Sequence, residues 1–134
     1  MKTIVIDGNN FSNEEGFYGE IDRLLTSGLD FKTGHNLNSF LDILRGGFGV
    51  HEYGEPLKIT WINAAKSRED LGYDETLRHW EKILTRCHPS NAAGVRKKIG
   101  DAKNHQGKTL FDTITEIILD NDDEDFRWDL EIVE

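Results

Sequence analysis

Apolar and polar positions along the chain fall into patterns that predict three strands and five helices. Residues 3 to 7 hold a continuous apolar run, Ile4, Val5 and Ile6, expected of a short strand covered on both faces. Asp7-Gly8-Asn9-Asn10 is a turn cluster. Ser12 and Glu15 stand at capping-box spacing, and the helix they open carries Phe17, Ile21, Leu24 and Leu25 as its buried stripe, with Gly28 as its stop. Between Gly34 and Gly47, Leu37, Phe40, Leu41 and Leu44 repeat at helical spacing, while Asn38, Asp42 and Arg45 fall on the opposite side. Leu41 reads as core or as an exposed apolar contact, with core favoured by the stripe. Asn36 is placed to cap this second helix, and Gly46 or Gly47 to end it.

Pro56 closes a glycine-rich loop, after which Leu57-Lys58-Ile59-Thr60-Trp61-Ile62 alternates as a second strand. Tyr73, Leu77, Trp80 and Leu84 form the apolar stripe of a helix over 73–86. Residues 90–103 are basic and weakly helical, anchored by Val95 and Ile99, and Leu110, Phe111, Ile114, Ile117 and Ile118 mark a helix over 109–119. Phe126, Trp128, Leu130 and Ile132 then alternate with Arg127, Asp129, Glu131 and Val133, a third strand with one wet face. Helices separate the strands, so right-handed crossovers make the sheet parallel. The expected class is α/β, a three-stranded parallel sheet flanked by helices, with the all-apolar first strand in the centre. No repeat or linker divides residues 1–134, which are expected to form one domain.

Composition narrows the classes of function. A chain of 134 residues can bury about two-thirds of its unfolded surface. It shows no apolar run of membrane-spanning length and no signal peptide, and its single cysteine, Cys87, suits a reducing, cytoplasmic setting. Charge is distributed unevenly. From Leu110 onward ten carboxylates (Asp112, Glu116, Asp120, Asp122, Asp123, Glu124, Asp125, Asp129, Glu131 and Glu134) face one base, Arg127, which equals the whole chain's formal charge of −9. The preceding residues are therefore neutral. An acidic field of this kind disfavours nucleic acid and anionic membranes and speeds encounter with a basic protein. A solvated acidic loop over 120–125 accounts for the same charges without any partner.

Two chemical signals fail on context. Ala102-Lys103-Asn104-His105-Gln106-Gly107-Lys108-Thr109 has the spacing of a phosphate-binding loop, but the charged residues before it offer no buried strand. Cys87-His88 with His79 lacks the paired spacing of a zinc site, and no nucleophile–base pair can be assembled. Neither a cofactor, a metal nor a catalytic role is expected.

The run Gly34-His35-Asn36-Leu37-Asn38-Ser39-Phe40-Leu41-Asp42-Ile43-Leu44-Arg45-Gly46 resembles the inhibitory helix of the barstar family, protein inhibitors of ribonucleases. Lys2 to Gly8 resemble the family's first strand and turn, and Pro56 to Trp61 its second strand. The element order is similar from end to end, with residues 63–106 enlarged relative to the family and the helix beginning at Thr109 matching its last helix. The resemblance implies a monomeric cytoplasmic inhibitor, not an enzyme, that occludes the active site of a basic protein, a ribonuclease or nuclease toxin. In that family helical carboxylates imitate RNA phosphates.

Carried over by position, Asp42 becomes the phosphate mimic and Glu116 a flanking acidic contact. Asn36, Asn38, Leu41, Arg45, Gly46 and Phe48 form the surrounding surface. Three positions depart from the family pattern: Asn38 replaces a second helical acid, Leu41 a tryptophan, and Lys32 an aromatic residue. Arg45 adds a positive charge beside the site. These changes point to a partner other than barnase. They also leave open a binding or regulatory module of the same fold without nuclease inhibition, whose interface would lie at 63–106 or in the acidic stretch.

Overall fold

The computed structural model describes residues 2–26, 35–47, 50–119 and 127–134. The element order is β1 (Lys2–Asp7), α1 (Glu14–Leu25), α2 (Leu37–Arg45), β2 (Leu57–Ile62), α3 (Ala64–Asp70), α4 (Tyr73–Leu84), α5 (Ala92–Lys103), α6 (Leu110–Leu119) and β3 (Trp128–Ile132). It is an α/β fold with a three-stranded, all-parallel sheet.

The strand order is β1-β2-β3, so the first strand is an edge and β2 is central. This corrects the expectation drawn from the apolar run. Ile4 and Ile6 are buried, but Val5 between them is 44% exposed, because helices cover only one face of the sheet. That face holds Ile4, Ile6, Leu57, Ile59, Trp61 and Trp128, while Thr3, Lys58, Asp129 and Glu131 lie exposed on the other. β2 earns the centre through Trp61, which is fully buried and stacks on Phe17 of α1 at 5.5 Å between ring centroids. Phe11 and Phe111 meet the same indole edge-on, and its Nε1–H donates to Ser67 Oγ at 3.0 Å.

Three local details differ from the expected pattern. The cap of α1 is Asn13, whose side chain accepts from Gly16 N at 2.8 Å, so Ser12 and Glu15 form no capping box. Asparagine caps as well as serine does, and the helix starts one residue later. α3, too short and polar to show a stripe, fills the turn after β2. In α4 the buried side chains are the polar Glu75, Thr76 and His79, whereas Tyr73, Leu77, Trp80 and Leu84 are only half-buried. The polar side of α4 faces α1 and α6, with Thr76 Oγ1 accepting from Leu110 N at 2.6 Å, and the helix also packs on α5, which lies outside the main core. No helix among the described residues is long and apolar enough to cross a membrane. The expected stop at Gly28 lies outside the described residues.

Candidate functional site

α2 is fixed at both ends by its own sequence. Asn36 accepts from Ser39 N at 2.8 Å, the expected cap. Gly46 follows the last turn with φ +94° and ψ −171°, a conformation essentially confined to glycine. A side chain there would also lie 2.3 Å from the Glu52 carbonyl oxygen. The loop behind it is tied to the helix: Gly54 N donates to Arg45 O at 2.8 Å and Gly47 N to His51 O at 2.9 Å. His51 is buried and its Nε2–H donates to Leu44 O at 2.9 Å, which leaves Nδ1 as a buried acceptor without a partner among the described residues.

Phe40, Ile43 and Leu44 anchor the inner face of α2 in the core, where Phe40 meets Phe17 edge-on at 5.2 Å. Leu41 is half-buried and packs against the same cluster, as its place in the stripe implies. Asn36, Asn38 and Asp42 are exposed. Asp42 is paired at its own helix: Arg45 Nη1 lies 3.5 Å from its Oδ1, and the two side chains are 37% and 64% exposed respectively.

Glu116 sits elsewhere in the connectivity. α6 packs on β3 and α4, whereas α2 packs on α1. The Glu116 carboxylate accepts from Lys108 Nζ at 2.9 Å, both groups being exposed. Asp42, Asn38, Asn36, Leu41, Arg45 and Gly46 thus share one short helix and its caps, and Glu116 is held in a separate ion pair. Phe48, Lys32 and the acidic stretch 120–125 lie outside the described residues.

A buried polar cluster next to α2 escaped the sequence pattern. Glu14, in the first turn of α1, accepts from Tyr18 Oη at 2.6 Å and lies 2.9 Å from His79 Nδ1 of α4. Its backbone N–H donates to Glu75 Oε2 at 2.6 Å. Burial pushes the Glu14 carboxyl up, but the His79 and Tyr18 hydrogen bonds outweigh it and hold the group below the usual carboxylate range. Burial first, and the hydrogen bond to Glu14 next, push the Tyr18 phenol well up. Immediately before α2, His35 bridges two α1 carboxylates, Glu15 and Asp22, the latter at 2.8 Å. The Glu15 hydrogen bond, aided by Asp22, raises the His35 pKa. These residues lie far apart in the chain, so no local spacing could announce the cluster. Glu14 falls on the core-facing side of α1, but His79 lies off the Tyr73–Leu84 stripe, so the sequence pattern carried no signal for the pair.

His79, once weighed as a ligand with Cys87 and His88, commits Nδ1 to Glu14, and His88 Nδ1 accepts from Ser90 N at 3.1 Å. Among the described residues no cluster of three or more candidate ligands is assembled.

The described residues form a parallel α/β sheet with a short, doubly capped helix that presents a carboxylate. Residues 1–99 match the family model described as Barstar (barnase inhibitor), and the chain belongs to that family. The match includes β1, α1, α2, β2, α3 and α4. It also runs through much of 63–106 and ends before α6 and Glu116. Members of the family are inhibitors rather than enzymes. Comparison with curated proteins and with solved structures finds no match.

Proposed function

We propose that the chain is a cytoplasmic, monomeric inhibitor that binds a basic ribonuclease and occludes its active site through the exposed face of α2. The observation that carries the reading is Asp42: an exposed carboxylate on a helix whose inner face and both ends are fixed, within a chain of the Barstar family. A nuclease cleft is preorganised for negative charge, so a carboxylate entering it gains charge-assisted hydrogen bonds without having to be ordered first. The chain's overall charge of −9 would speed the encounter. Asn38 and Leu41, in place of an acid and a tryptophan, favour a ribonuclease different from barnase. Residues 1–134 act as one unit in this reading, with Glu116 as a peripheral contact that must first exchange Lys108 for the partner.

A second reading keeps the fold as a protein-binding module without nuclease inhibition, and the Asp42–Arg45 pair favours it, since the pair blunts the charge on offer. Capture from native lysate separates the two. Immobilised wild-type protein should retain a ribonuclease, detected by RNA cleavage after elution, that an Asp42→Lys column does not retain. Retention by both columns of a partner with no ribonuclease activity would support the second reading instead.

A further inference from the structure

A cleft of about 500 Å³ lies where α1 and α4 meet the first turn of α2. Its hydrogen-bonding groups divide unevenly. The acceptors are already used: the Glu14 carboxylate by Tyr18 and His79, and that of Glu15 by His35. The donors are not. The side chains of Lys82, in the last turn of α4, and Arg86, just beyond it, line the cleft with no close ion pair or hydrogen bond to a described residue, acting on Glu14 and Tyr18 only through space. The backbone N–H groups of Leu37 and Asn38 are the two left over at the start of α2, because the Asn36 side chain takes Ser39 N and its carbonyl takes Phe40 N. His79 is 8% exposed and lines the cleft; its Nδ1–H is given to Glu14, which leaves Nε2 as a buried acceptor without a partner among the described residues.

His79 Nε2 is a buried group of the kind a folded chain normally satisfies internally, and here it lines a cavity beside open donors. Two exposed cations and two helix N-terminal donors suit an oxyanion that can take several hydrogen bonds at once, and the imidazole nitrogen suits a hydroxyl on the same ligand. Trp80, Ile83 and Leu37 add apolar surface to a lining that Tyr18, His35, Asn36 and Asn38 complete. A cavity of this size holds a small molecule, with polar groups fixing one end and apolar surface covering the other.

We propose that this cleft binds a phosphomonoester carrying a flat, apolar body, of the nucleoside monophosphate class. The phosphate lies against Lys82, Arg86 and the first turn of α2, a hydroxyl of the ligand donates to His79 Nε2, and the flat body packs against the Trp80 wall. The site shares Asn36 and Asn38 with the docking surface, but Asp42 does not line it. It would persist in a protein that inhibits no nuclease.

The test is calorimetric titration of the whole protein with adenosine monophosphate, ribose 5-phosphate and inorganic phosphate in parallel. Adenosine monophosphate should bind saturably at one site, at least tenfold more tightly than either of the others. Lys82→Ala/Arg86→Ala, which changes only exposed side chains, should weaken it by about a hundredfold at unchanged circular dichroism, at roughly tenfold for each charged contact. His79→Gln should weaken it by a smaller factor. Equal binding of inorganic phosphate, absence of saturation below about 5 mM, or unchanged affinity in the double variant would overturn the proposal.

Discussion

Arg45 reaches back one turn along α2 to Asp42, its Nη1 3.5 Å from the Asp42 Oδ1. The carboxylate assigned to imitate a phosphate is therefore already weakly paired on its own helix. An exposed pair at this spacing is worth about 0.2–1 kcal/mol, so an incoming cation can displace the arginine at small cost. Arg45→Ala should strengthen binding to the basic partner by about twofold to fivefold, read as a lower Kd in a surface-binding assay. Asp42→Ala should weaken it by about 2–5 kcal/mol while leaving stability within about 0.5 kcal/mol.

The two glycines after α2 should respond unequally. Gly46 combines a φ of +94° with a carbonyl 2.3 Å from where a Cβ would stand, whereas Gly47 has a φ of +91° but no neighbour nearer than 3.8 Å. Gly46→Ala should cost at least about 2 kcal/mol in urea unfolding and weaken partner binding, while Gly47→Ala should cost about 1 kcal/mol. Equal costs would mean that backbone conformation alone matters at this corner.

His79 and Glu14 join α4 to α1 inside the protein. His79→Ala leaves the buried Glu14 carboxylate with Tyr18 as its remaining side-chain partner and should lower unfolding stability by about 2–3 kcal/mol. Because Glu14 is held below its usual range, its contribution is present above the unfolded value and is lost as pH falls through the native one. The wild-type protein should therefore lose more stability than Glu14→Gln between neutral pH and pH 3.

His35 acts at the opposite end of the pH scale. Its pKa is raised by Glu15 and Asp22, so its contribution is fully present below the unfolded value of about 6.5 and is lost as pH rises through the native value. Melting temperature should fall from pH 6 to pH 9 by more in wild type than in His35→Gln. The loss should concentrate at the α1–α2 junction, visible as faster amide exchange in the first turn of α2.

What could be read from the chain was whatever local periodicity governs. α2 was legible to its caps, because Asn36, Gly46 and the Leu37–Leu44 stripe all act within a few residues. Three strands and their parallel pairing followed from the alternation with helices. Strand order did not: Ile4-Val5-Ile6 looks doubly buried, and only the helices gathering on one face leave Val5 in solvent. The cap at Asn13 was hidden by a stronger-looking motif one residue earlier. The Glu14–His79 contact and the donors around Lys82 and Arg86 join elements about 65 residues apart, a distance that sequence spacing does not encode. For the candidate interface, the resemblance nominated residues, while the Asp42–Arg45 and Lys108–Glu116 pairs required side-chain geometry.

The most direct measurement is the rate of RNA cleavage by the ribonuclease captured on the wild-type protein, titrated with wild-type and with Asp42→Ala protein. The predicted result is complete inhibition by wild type at a one-to-one ratio, with Asp42→Ala needing at least about thirtyfold more protein for half-inhibition. Cleavage untouched by excess wild-type protein, or equal inhibition by Asp42→Ala, would contradict the assignment of α2 as the occluding surface.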